Sequence, residues 1–195
     1  LRKEVVYDLK ARPVLAIDHA RNESTTLVYA LESMPWLLTH CQMSRTDKLY
    51  RFTYNTKGHV ISMEDGRNFY MIATSPTGTP EIVFDVGGEP VKEVHMSPFG
   101  TVFQDTNEDL PTCLGFHGGV DLQETGIVII QGRPYDSILG SWMVPDTDRM
   151  IQLPNHPADV FVYRFKKNDP VNSPNKDDVE SLEGWLDFFG LNLET

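Results

Sequence analysis

The stretch Tyr50-Arg51-Phe52-Thr53-Tyr54-Asn55-Thr56-Lys57-Gly58-His59-Val60-Ile61-Ser62-Met63-Glu64-Asp65-Gly66 decides how this chain folds. Tyr50, Phe52 and Tyr54 alternate with Arg51 and Thr53. After a turn at Asn55 and Gly58, His59, Ile61 and Met63 alternate with Val60, Ser62 and Glu64, and a second turn follows at Asp65 and Gly66. Alternation with period two places successive side chains on opposite faces of a strand, so the stretch predicts a β-hairpin. The turn has a mechanism: an Asx side chain bonds backbone amides two positions on, and glycine tolerates positive φ.

The same signal recurs down the first hundred residues: a tyrosine or stand-in, an acid or stand-in, two variable residues, then a small residue before an apolar stretch. Tyr7 and Asp8 with Ala11 give the other good copy. Degenerate copies start at Tyr29 with Ser33, at Thr74 with Ser75 and Gly78, and at Met96 with Ser97 and Gly100, so the steps are 22, 25, 20 and 22 residues. A period of this length predicts one hairpin unit stacked repeatedly, because a single unit cannot cover its own apolar face. A strip of hairpins has two open edges that invite further strands, and the chain begins abruptly at Leu1. Both observations suggest a fragment of a longer spiral.

Composition narrows the function. The net charge is -11, which repels phosphate backbones, so nucleic acid is a poor partner. Apolar runs such as 126–130 fall far short of the roughly 20 residues that cross a bilayer, so this segment is expected not to insert in a membrane. The histidines at 19, 40, 59, 95 and 156 lack metal-ligand spacing, and no phosphate-cradling glycine loop is present; neither metal nor cofactor is expected. Cys41 and Cys113 could pair, but spacing alone does not place their Cα atoms, and the reading adopted is two buried free thiols. Asn22, Glu23 and Ser24 form a glycosylation sequon, relevant if the chain is secreted.

After Phe103 the period breaks. A denser block runs through Gly115, Phe116, His117, Gly118, Gly119 and Asp121, the strand Ile127–Ile130, then Arg133, Pro134, Tyr135, Asp136, Gly140, Ser141, Trp142, Pro145 and Asp146. This order resembles the core signature that closes rearrangement-hotspot (Rhs) and YD-repeat proteins, and the tyrosine-acid repeats resemble YD repeats. With the flanks, including Thr77 to Pro80 and Tyr163, Arg164, Phe165 with Asn168, Asp169 and Pro170, the chain resembles the end of the YD shell of teneurins.

That resemblance implies a mainly β fold: a YD/Rhs hairpin spiral forming part of a large barrel (1–105), an internal core plug (106–170), and a linker with a short C-terminal helix (171–195). The helix is also read from the residues, with Asp177 and Glu180 capping, Val179, Leu182, Leu186 and Phe189 forming one face, and Gly190 ending it. The resemblance also implies a segment of a single-pass type II cell-membrane receptor, here extracellular. Its functions would be adhesion and neuronal signalling, through latrophilin-type adhesion G-protein-coupled receptors and teneurin homodimers formed elsewhere in the molecule.

An enzyme is not expected. The nearest catalytic readings are a Cys113, His117, Asp121 cluster and self-cleavage by Asp136, Asp146 or Asp148, as in toxin-enclosing relatives. The glycines after His117 suit a tight turn better than a dyad. Ser141 stands where those relatives carry arginine, and Thr147 where they carry proline, removing a cation that would orient a buried carboxylate. A free-standing carbohydrate-binding β-protein is the third alternative, with Trp36, Trp142 and Trp185 read as core residues instead of sugar platforms.

Overall fold

The computed structural model describes residues 3–122, 125–145 and 162–170. Ten strands form one antiparallel sheet in simple chain order: β1 (Lys3–Tyr7), β2 (Pro13–Asp18), β3 (Glu23–Val28), β4 (His40–Met43), β5 (Lys48–Tyr54), β6 (Val60–Glu64), β7 (Phe69–Thr74), β8 (Pro80–Phe84), β9 (Pro90–Met96) and β10 (Val102–Asp105). A second antiparallel sheet follows: β11 (Val120–Asp121), β12 (Ile127–Ile130), β13 (Arg133–Asp136) and β14 (Ser141–Trp142). Among the described residues the large sheet is open, with β1 and β10 at its edges.

The 20-to-25-residue period is therefore two strands of a meander, and its turns fall at one rim of the sheet. In the good copies the second residue does all the bonding. Asn55 donates its amide to the His59 carbonyl and accepts the Gly58 amide, while its side-chain oxygen takes the amides of Lys57 and His59. Asp8, Ser75 and Ser97 reproduce the same backbone pair with Arg12, Thr79 and Thr101. The fifth residue adopts positive φ each time: 57° at Ala11, 78° at Gly58, 86° at Gly78 and 85° at Gly100. Phe84, Asp85 and Gly88 build an identical turn at the opposite rim, a copy the period hides because it lies half a step out of phase.

The structure corrects two expectations. Tyr29 does not begin such a turn: β3 and β4 are joined by the long loop 29–39, held by Thr39, whose hydroxyl donates to Val28 and accepts from Ala30. And Ile61 does not share a face with Met63. A bulge shifts the register between Thr53 and Tyr54, so that Val60 and Met63 point into the core and Ile61 is exposed. The extra residue moves the pattern by one, which strict alternation cannot show. The same shift follows Tyr7, Thr74, Phe84 and Met96 at their turns.

Tyr50, Phe52, Val60, Met63, Ile72 and Val83 line one face of the large sheet and pack against Leu110, Leu114, Val120 and Ile129 from the second region. The repeat tyrosines stitch neighbouring hairpins together: Tyr29 donates its hydroxyl to the Pro13 carbonyl and Tyr54 to that of Leu38. Burial pushes both hydroxyls well above the ordinary tyrosine range, so they remain donors. Two lysines enter the sheet with partners. Lys92 is buried on bonds to both Asp105 oxygens (2.8 and 2.6 Å) and to the Asn107 carbonyl. Lys48 meets Asp65 at 2.6 Å. Burial alone would raise the Asp65 carboxyl, but Lys48 and the amides of Asn68 and Arg67 outweigh it and hold it well below the usual range.

Candidate functional site: the junction of the two sheets

The block that breaks the period is where the two sheets are joined. Leu114 bridges Val120, and between them Gly115 donates its amide to Gly119 and accepts that of Gly118. This is the backbone of the repeat turn, with glycine in place of the acid, positive φ at His117 and Gly118, and the Asp121 side chain packed over Gly115. The turn docks on two of the repeat turns. The His117 amide donates to Thr79 Oγ1 at 2.9 Å, and Gly118 lies against the Gly78 carbonyl. The Phe116 ring presses on Gly100 so closely that any Cβ there would collide with it.

Four aromatic rings fill the space behind this turn. Tyr135, fully buried, lies 5.5 Å from Phe116, 5.5 Å from Trp142 and 4.8 Å from Phe165 by ring centroids. Such stacked, tilted and edge-on packings add to area burial. The Tyr135 hydroxyl reaches back 2.8 Å to the Phe99 carbonyl, and Thr101 Oγ1 donates to Ser137 at 2.6 Å, so the second sheet is bonded to the last repeat turn at two points. Gly140 packs on the Phe99 ring. Arg133 stacks 4.2 Å over Trp142 and donates to the carbonyls of Val144 and Val162. The sequence marks Tyr135 and Trp142 as motif residues but gives no hint of Arg133 as the cover of Trp142, because stacking depends on register across β13 and β14.

Cys41 and Cys113 form a disulfide, their Cα atoms 6.8 Å apart, which corrects the free-thiol expectation. Both are buried, and 72 residues separate them. Cys41 and Cys113 share one buried cluster with Leu110 and Leu114, which pack the chain around Cys113 against the buried face of the large sheet, a placement that only the packed core reveals. It also removes the thiolate that a Cys113–His117 dyad would need. His117 packs edge-on against Phe116 (4.4 Å) and Phe165 (5.3 Å); burial, helped by the Lys166 charge, pushes its imidazole down to about 3. Asp136 is engaged in a turn, accepting the amides of Ile138 and Leu139. Asp146, Asp148, His156, Trp185 and the expected helix lie outside the described residues. Asn22 is exposed in the β2–β3 turn, at positive φ.

Between the junction turn, the loop 29–39 and the repeat turns lies a cleft of about 450 Å³, walled by Trp36, His59, His117, Trp142, Phe165 and Lys166 among others. Among the described residues no group of histidine, cysteine, aspartate and glutamate could hold a metal ion, and no helix is long and apolar enough to cross a membrane.

Comparison with known proteins places these features. The family model Teneurin YD-shell matches residues 4–171. Teneurin-m of Drosophila melanogaster is 34% identical over 189 residues, 96% of this chain and 7% of that protein. Teneurin-1 of Gallus gallus is 34% identical over 171 residues, 85% of this chain and 6% of that protein. The chain thus spans a small fraction of these relatives. Among solved structures, TcdB2-TccC3-Cdc42 superposes with a TM-score of 0.62 at 19% identity, over 93% of this chain and 9% of that one. The Photorhabdus luminescens Tc holotoxin pore with the mutation TccC3-D651A gives 0.60 at 17%, over 87% and 8%. At those identities the likeness is one of fold.

Proposed function

Because the chain belongs to the teneurin YD-shell family, we propose that it is an extracellular portion of a teneurin-type adhesion receptor, anchored in the cell membrane as a single-pass type II protein. In this reading the ten-stranded sheet is part of the wall of a closed barrel that continues from its open edges. Residues 106–170 are the plug against the inner face, and residues 171–195 lead to a further domain. The barrel is a rigid support from which latrophilin-type adhesion receptors are bound in trans, homodimers form through other regions, and signals in neuronal development are relayed.

The observation that carries this reading is the buried Cys41–Cys113 bridge. Disulfides of this kind persist in oxidising compartments, and this one fastens the proposed plug to the proposed wall. The exposed sequon at Asn22 agrees with a secretory route. Deleting residues 115–146 from the intact protein should abolish its secretion and surface display; normal display would sink the proposal. A latrophilin-type ectodomain should aggregate with cells that display the intact protein and not with cells that lack it.

The second reading is a toxin-enclosing shell that cuts its own chain, favoured by the likeness to the Tc structures. It expects a scission a few residues beyond Asn168, detectable by mass spectrometry and lost in Asp146→Asn. The Asp136 carboxylate is already occupied by two turn amides, which counts against that residue as the cutting group.

A further inference from the structure

In a chain with 28 acids against 17 Lys and Arg, the cleft at the junction is reversed in sign. Lys57, Arg133 and Lys166 line it together with His59, and no aspartate or glutamate does so among the described residues. Its walls are aromatic as well, with Trp36 and Trp142 facing it. A polar rim over an apolar wall, with positive charge, suits an occupant that carries carboxylates and rings together.

Such an occupant lies in the same chain. Phe165 and Lys166 stand on the cleft wall, the turn Lys166–Asn168 ends beside it, and the described chain leaves at Pro170. The sequence that follows carries Asp177, Asp178, Glu180, Glu183, Asp187 and Glu194 against Lys176, with Trp185, Phe188 and Phe189 among them. Residues 171–176 extend to roughly 20 Å, enough to lay that stretch across an opening walled by the residues just before it. A tether this short keeps the local concentration of the segment high, so modest contacts suffice.

We propose that the acidic, aromatic segment 177–189 docks in this cleft, its carboxylates toward Lys57 and its rings against the tryptophan wall. The segment would then fix the direction in which the chain leaves the second sheet. Such docking follows from the cleft, its charge and the tether, and holds whether or not the receptor reading does.

Carbodiimide cross-linking of the intact protein, followed by peptide mapping, tests it. Lys57 is expected to join a carboxylate among Asp177, Asp178, Glu180, Glu183 and Asp187. Amides of 177–189 should exchange at least about tenfold more slowly than in a synthetic peptide of residues 171–195. Lys57 is exposed at a turn held by Asn55, so Lys57→Glu should leave exchange in β5 and β6 unchanged while removing the protection of 177–189. Lys57→Arg should retain it. Cross-links from Lys57 only to acids elsewhere, or protection that survives Lys57→Glu, would overturn the proposal. So would added polyglutamate that binds near Lys57 without speeding exchange of 177–189, since the cleft would then be open to a foreign anion.

Discussion

The two sheets are stabilised in different ways. The ten-stranded sheet is held by repetition: one backbone turn, one bulge after it and a tyrosine reaching back to the previous hairpin, copied with small variations. The four-stranded sheet has short strands and few repeats of anything. It depends on a cluster of large rings and on ties to its neighbour through the disulfide, Tyr135, Thr101 and His117. A repeated device tolerates the loss of one copy because its neighbours remain; a single device does not. Substitutions should therefore be mild in the first region and severe at the contacts between the two.

The largest effect is expected from Cys113→Ser. Opening a 72-residue connection removes about 4 kcal/mol in the chain-entropy account, and the intact protein should be retained in the cell or become sensitive to protease within 106–145. A variant secreted and protease-resistant like the parent would show that the aromatic cluster alone holds the second sheet. Next is Gly100→Ala, which places a methyl in the Phe116 ring at a φ of 85°; a cost of about 3 kcal/mol in urea unfolding is expected. Gly88→Ala has the same φ but open space around it, and should cost only about 1 kcal/mol.

His117 supplies a pH test of the junction. Its folded value is depressed to about 3, so between there and its unfolded value near 6.5 the unfolded chain binds the extra proton. Its contribution is present in full above about pH 6.5 and is lost as the pH falls, about 2 kcal/mol between pH 6.5 and 5. His117→Gln should flatten that part of the stability curve, measured by hydrogen exchange at Phe116 and Tyr135. If the curve stays steep, another group is responsible. The smallest effect belongs to the repeat sheet: Tyr54→Phe loses one hydroxyl bond to Leu38, about 1 kcal/mol, and should leave the second sheet's exchange unchanged.

This contrast also explains what could be read from the residues. Tyr54, Asn55 and Gly58 announce their turn because its chemistry is local, and Tyr7, Asp8, Gly78 and Gly100 do the same. Ile61 misleads because a bulge is invisible to alternation, and Tyr29 because a tyrosine before a small residue does not fix the length of a loop. At the junction the residues Gly115, His117, Gly118, Tyr135, Asp136 and Trp142 stand out, while the reasons for them do not. The pairing of Cys41 with Cys113, the stacking of Arg133 and the neutral state of His117 all depend on which surfaces meet across long separations. Buried Lys92 belongs with these, since its partner Asp105 lies across the β9–β10 hairpin and its burial follows from the core.

One property of the meander bears on how such a chain can change over generations. Turns alternate between the two rims, so adding or removing a hairpin returns the backbone to the rim from which it left. A single strand gained or lost would send everything downstream to the opposite rim, with Phe116 arriving far from Gly100. Length variation in this sheet should come in pairs of strands, and odd-numbered changes should occur only beyond the final hairpin.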